Sequence, residues 1–101
     1  MISFQQVVDI LKPVLDKWGI ERIIVFGSYA RGSANDSSDI DLVIDSNGKL
    51  RGLEIYAAIH EITEVLPIKS DVYELSEIVK GSTFDNEIRK DGVVIYDTRL
   101  I

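Results

Sequence analysis

Residues 22–45 read RIIVFGSYARGSANDSSDIDLVID, and this stretch decides the fold. Arg22 to Phe26 is a short apolar run rich in β-branched residues, the signature of a buried strand. Gly27-Ser28 turns the chain out of it. Residues 28–32 fit a short helix, and Gly32 to Ser38 is a polar loop. Asp39 to Asp45 then alternates charged and apolar residues. That alternation predicts a second strand with Ile40, Leu42 and Ile44 on one face and Asp39 and Asp41 on the other.

Before this stretch, Phe4, Val7, Val8, Leu11, Val14, Leu15 and Trp18 recur at helical spacing, so residues 3–18 read as an amphipathic helix. Ser3 followed by Gln6 fits a capping box. Pro13 should kink or break the helix, because it removes an amide donor, and Gly19 ends it. After the second strand, Asn47-Gly48 signals a turn. Residues 50–66 read as a helix with Ile55, Ile59, Ile62 and Leu66 on one face, stopped by Pro67. Ile68 to Leu75, carrying Asp71, reads as a third strand. Ser76 is expected to cap a helix through Val79, residues 83–90 form another, and Gly92 to Tyr96 is the last strand. The expected architecture is α/β or α+β, a small mixed sheet of about four strands flanked by helices.

The 101 residues suit one domain over 1–101, and no linker, repeat or low-complexity run marks an internal boundary. Seventeen acidic against eleven basic residues give a net charge of −6, which argues against direct nucleic-acid binding, since that affinity rests on clustered Lys and Arg. The absence of cysteine excludes disulfides, thiolate metal sites and a cysteine nucleophile. No segment has the length of a membrane span, and the N-terminus lacks the pattern of a secretory signal. The expectation is a cytoplasmic protein. Exposed apolar surface on so small a domain also predicts association, with a second copy or with another chain.

Asp39 and Asp41, two apart on a strand, project the same way. Two neighbouring carboxylates are costly to keep ionised without a cation. Hard oxygen ligands suit magnesium or manganese, which bind through one or two carboxylates together with substrate phosphates. Read alone, the pair is equally a solvated strand face. Gly27 lets the backbone approach a ligand closely. A helix beginning at Ser28 offers free amides to a phosphate, and the forked donors of Arg31 lie one turn later. Read alone, these residues too are a plain turn with a solvated arginine. Asp45 and Glu74 are weaker candidates: Asp45 falls at a strand end, and Glu74 points opposite to Asp71. His60, the only histidine, reads as a helix-surface residue. Trp18 reads as core, and Tyr29 either lines a nucleotide pocket or packs.

The spacing joins these parts. Gly27-Ser28, ten residues, then Asp39-x-Asp41 closely resembles the nucleotidyltransferase motif of the DNA polymerase β superfamily. With Ala30-Arg31-Gly32 and Ser38-Asp39-Ile40-Asp41-Leu42, the string is most similar to the minimal nucleotidyltransferases, the MNT family. The resemblance covers nearly the whole chain and implies the nucleotidyltransferase fold. It also implies Asp71 as a third metal-binding carboxylate that helps to deprotonate the attacking hydroxyl. Asp39, Asp41 and Asp71 would then be catalytic and hold Mg2+ or Mn2+, and Gly27, Ser28 and Arg31 would bind the nucleotide.

The implied reaction is transfer of AMP from ATP to an acceptor hydroxyl with release of pyrophosphate. Larger relatives that modify tRNA ends or aminoglycosides carry extra acceptor-binding domains, which this sequence does not contain. Many free-standing MNT proteins are antitoxins that AMPylate a tyrosine of a HEPN-domain toxin. The resemblance therefore implies a protein adenylyltransferase with a HEPN partner. The alternatives are an antitoxin that acts by binding alone with a vestigial site, and transfer to a small molecule.

Overall fold

The computed structural model describes residues 1–100. Its first element, α1 (Phe4–Trp18), starts as the capping pattern requires: Ser3 Oγ accepts from the Gln6 amide at 3.1 Å, and the Ser3 amide donates to Gln6 Oε1 at 2.8 Å. It ends at Gly19 in the left-handed region, φ 67°. The expected break at Pro13 does not occur, and α1 runs through it as one element. Pro13 and Asp9, whose carbonyl lacks the usual i+4 amide donor, are both exposed, so water can satisfy that group.

The remaining elements are β1 (Arg22–Phe26), α2 (Gly27–Arg31), β2 (Ile40–Asp45), α3 (Leu53–Val65), β3 (Ser70–Glu74), α4 (Thr83–Asp91) and β4 (Val93–Asp97). The strands form one mixed sheet in the order β3-β2-β1-β4. β1 pairs antiparallel with β2 and β4, while β2 and β3 run parallel, with α3 as the crossover that a parallel pair needs. The expected four-strand sheet flanked by helices is present.

Some boundaries differ from expectation. β2 begins at Ile40, so Asp39 lies just before it. α3 starts at Leu53, after Gly52 at φ 56°. The helix expected to be capped by Ser76 is a 3-10 turn over Leu75–Glu77, and its cap is Glu74, whose carboxylate accepts from the Ser76 amide at 2.8 Å. A second such turn, Thr98–Leu100, follows β4. Asn47 and Gly48 make the expected turn with φ of 53° and 80°.

The sheet divides the core. On one face α1 and α3 pack over Ile23, Val25, Ile40, Leu42 and Ile44, joined by Val7, Leu11, Leu15 and Ile62. On the other, a smaller cluster of Ile24, Phe26, Val43 and Ile88 is closed by Leu75, Ile78 and Phe84. Each fully buried aliphatic side chain contributes roughly 1.5–3 kcal/mol, so the first face carries most of the apolar stabilisation. Among the described residues no helix is long and apolar enough to cross a membrane.

Candidate active site

The second face carries the carboxylates. In the register, Asp41 stands opposite Phe26 of β1 on one side and opposite Asp71 of β3 on the other. Paired residues share a face, so Asp41 and Asp71 project side by side. Asp39, half-buried, precedes them, with its Oδ2 3.9 Å from Lys69 Nζ. Burial pushes the Asp41 carboxyl above its ordinary range, and the charges of Asp71, Asp39 and Glu87 push it further, while Arg31 opposes the rise. Tyr73, two residues beyond Asp71 on the same face, is raised as well, by burial first and then by Asp71 and Asp41. The site therefore concentrates negative charge at the edge of a low-dielectric core.

Gly27 explains how the motif closes on itself. It has φ 71°, and a Cβ built there would lie 2.3 Å from Asp41 Oδ2. The expectation was that its missing side chain admits a ligand. What it admits here is the protein's own carboxylate, which lies against the start of α2. The same geometry sets Ser28 in the first turn of α2, where amides have no intrahelical acceptor. Arg31 occupies the last position before Gly32, φ 77°, and its Nη1 lies 3.5 Å from Asp91 Oδ2 of α4.

The loop into Asp39 is held by its own side chains. Asn35 Oδ1 accepts from the Ser37 amide at 2.9 Å and from Ser37 Oγ at 2.8 Å, and Ser38 Oγ accepts from the Asn35 amide at 2.9 Å. Such local bonds are what Asn and Ser offer in turns. They fix a loop that the sequence marks only as polar.

The candidates outside the motif have structural roles. Asp45 ends β2 in an ion pair with Arg22 at 3.0 Å and accepts from the Asn47 amide at 2.9 Å. Glu74 is 2% exposed and faces away from Asp71. It accepts from Ser46 Oγ at 3.3 Å and from the hydroxyl and amide of Ser76. Tyr29 packs in the main core and borders a cavity of about 250 Å³ lined by Met1, Phe4 and Ala34, to which no carboxylate contributes. Trp18 is only partly buried, and its indole N–H donates to Glu61 at 3.2 Å. His60 is exposed on α3, 4.0 Å from Glu64, beyond the opposite face of the sheet. Glu87 and Asp91 also stand at the site; their signal in the sequence is an i, i+4 acidic pair, of which Asp91 lies one residue past the helix expected over 83–90.

Among the described residues no three acidic or histidine side chains converge closely enough to hold a metal ion by themselves. The donor set nonetheless fits a hard divalent cation. Asp41 and Asp71 offer adjacent carboxylate oxygens whose repulsion a cation would relieve, and such ions commonly complete their shell with substrate phosphates. The arrangement places an anion-favouring helix start, a forked cation and a carboxylate pair on one face. That set is suited to holding a metal-bound polyphosphate.

Residues 7–96 match the nucleotidyltransferase domain family. The chain belongs to that family. This nucleotidyltransferase is 35% identical over 66 residues to MJ0435 of Methanocaldococcus jannaschii, a candidate protein adenylyltransferase, covering 65% of this chain and 71% of that protein. It is 29% identical over 86 residues to the protein adenylyltransferase MntA of Thermococcus cleftensis, covering 80% of this chain and 86% of MntA. Its fold is similar to a chain in the complex of the tri-AMPylated Shewanella oneidensis HEPN toxin with an MNT antitoxin. That match has a TM-score of 0.68 at 16% identity and covers 97% of this chain and 76% of that one. The nucleotidyltransferase fold expected from the motif is present, and the family makes the chain an enzyme with a nucleotide substrate.

Proposed function

We propose that this nucleotidyltransferase, acting as one domain over residues 1–101, is a protein adenylyltransferase. It transfers AMP from ATP to a tyrosine hydroxyl of a HEPN-domain toxin and neutralises that toxin in the cytoplasm. The observation that carries the reading is the register pairing of Asp41 with Asp71 beside Gly27-Ser28. The likeness to MntA of Thermococcus cleftensis, and to the fold found in complex with an AMPylated HEPN toxin, supports the acceptor and the partner.

In this reading Ser28 and Arg31 bind the triphosphate, with Gly27 keeping the backbone close. Asp39, Asp41 and Asp71 would hold Mg2+ or Mn2+. When bound, the metal supplies positive charge against the triphosphate and the developing negative charge of the transition state. Asp71 orients the acceptor hydroxyl and takes its proton. The acceptor oxygen forms a bond to the α-phosphorus as the bond to pyrophosphate breaks. The test is incubation of the folded HEPN partner with ATP, magnesium and this protein, followed by intact-mass analysis. Addition of AMP to a partner tyrosine is expected. A folded partner that stays unmodified overturns the proposal.

One observation favours a second reading, neutralisation by binding alone. α3 exposes Leu53 and Tyr56, 85% and 62% accessible, on the side of the sheet away from the carboxylates. Contiguous exposed apolar residues mark interaction surfaces. An Asp39→Ala/Asp41→Ala variant separates the readings: catalysis predicts lost protection from the toxin, binding alone predicts full protection.

A further inference from the structure

Arg31 is the one cation that the motif supplies for the triphosphate, and its placement depends on α4. The guanidinium Nη1 lies 3.5 Å from Asp91 Oδ2, with Arg31 47% and Asp91 20% exposed. Asp91 is the last residue of α4, where the helix dipole disfavours a negative charge. It also lies one turn after Glu87, a like-charged neighbour at i, i+4. Neither local effect favours a carboxylate there. Arg89 and Lys90 in the same turn offset the dipole, but neither occupies the position that Arg31 does.

A second feature mounts both partners of this ion pair on β1. α2, which carries Arg31, continues directly from β1. The end of α4 is held against β1 by Gly92: a Cβ there would lie 2.4 Å from the Ile88 carbonyl oxygen and 2.9 Å from Ile24 Cγ2, and the Gly92 amide donates to Ile88 at 2.7 Å. Asp91 and Arg31 thus reach each other from two supports on one strand. The nearest approach, from Nη1 at 3.5 Å, is an ion pair. A guanidinium carries five N–H donors, more than one carboxylate contact uses, so donors remain for the two-pronged contact that arginine makes with phosphate.

We propose that Asp91 is a positioning residue: it holds the Arg31 guanidinium at the mouth of the carboxylate site with its free donors turned to the triphosphate of the incoming nucleotide. The inference rests on the nucleotidyl-transfer reading of the site. An arginine side chain that is already ordered loses less rotamer freedom when ligand binds. Losing Asp91 should therefore weaken nucleotide binding and raise KM for ATP, with little change in kcat once ATP saturates.

The test measures binding of magnesium–ATP to the full chain by calorimetry, for the wild type and for Asp91→Asn, Asp91→Glu, Arg31→Ala and the Arg31→Ala/Asp91→Asn pair. Asp91→Asn should weaken binding about five-fold, in the range of one ion pair, with an unchanged melting temperature. Asp91→Glu should recover most of the loss. In the Arg31→Ala background Asp91→Asn should have no further effect, because the two act as a unit. The proposal is overturned by equal or tighter binding in Asp91→Asn, or by an undiminished Asp91→Asn effect without Arg31. A wild-type chain that fails to bind magnesium–ATP overturns the nucleotidyl-transfer reading itself, and this inference with it. Wild-type binding with an indifferent Asp91→Asn removes only the role of Asp91.

Discussion

The two faces of the sheet are built to different ends. The face under α1 and α3 presents Ile23, Val25, Ile40, Leu42 and Ile44, all without solvent contact. The face toward α4 alternates with it residue by residue along the same strands. It carries Asp41 and Asp71 next to a small cluster of Ile24, Phe26, Val43 and Ile88. A strand whose side chains alternate lets one five- or six-residue segment anchor the fold and present charge at once. Stability and chemistry are thus separated by the thickness of one sheet. The charged face is held in place by the apolar one.

The sharpest test is a substitution that should affect the two properties in opposite directions. Asp41→Asn should lower adenylyl transfer on the order of a thousand-fold, yet leave the metal-free protein as stable as the wild type or more so at neutral pH. The sign follows from the raised Asp41 carboxyl. A group whose folded pKa lies above its unfolded value of 3.8 costs stability when ionised. That cost is full above the folded pKa, shrinks once pH drops below it, and is gone only below the unfolded value of 3.8. The stability gap between Asp41→Asn and wild type, measured by denaturant titration, should close as the pH is lowered toward that value. A clear loss of stability at neutral pH would contradict the division between the faces.

On the opposite face of the same strand, Leu42→Ala should cost about 2–5 kcal/mol, read as a shift in the denaturation midpoint. Any activity lost should follow the unfolded fraction, while the folded remainder keeps its KM for ATP. Between these extremes lies Gly27→Ala. Its Cβ would meet Asp41 Oδ2 at a backbone φ of 71°, so the carboxylate must move. A destabilisation of about 1–3 kcal/mol is expected, with a fall in transfer rate larger than that loss of stability accounts for.

The smallest effect belongs to the start of α4. Ser82 Oγ accepts from the Asp85 amide at 3.1 Å, and Ser82→Ala should cost about 1 kcal/mol. Asp85 gives this corner a pH response opposite to that of Asp41. The Gly81 amide, and then Arg89, hold its carboxyl below the ordinary value of 3.8. Its contribution is therefore present above that value and lost as pH falls through the lowered one. Acid titration of Asp85→Asn against wild type should show their stability difference shrinking only in that acidic window.

Much of this was legible in the residues. Strand alternation over 40–45, the Gly27-Ser28 turn and the Asp39/Asp41 spacing are short-range patterns, and short-range patterns survive in a linear reading. Pro13 misleads in the linear sequence because a proline on the outer side of a helix leaves the unsatisfied carbonyl of Asp9 to water, and burial is a tertiary property. Ser76 was misjudged because Glu74, buried against Ser46 across the sheet, takes over the turn that a serine cap would otherwise start. Trp18 reads as core and does pack against it, but only in part, because its indole N–H needs a polar partner and finds Glu61 on α3.

The residues alone carry the strand alternation that turns Asp39 and Asp41 to one side, and the motif whose resemblance implies the family, its mixed sheet and Asp71 as a third carboxylate. It takes the folded chain to pair Asp41 with Asp71, to put the Asp41 oxygen in the space a Gly27 side chain would fill, and to set Asp91 against Arg31. Those contacts join residues from 14 positions apart to 60. No local preference encodes them. They arise when the apolar faces of α1, α3 and α4 close on the sheet and carry the charged groups together.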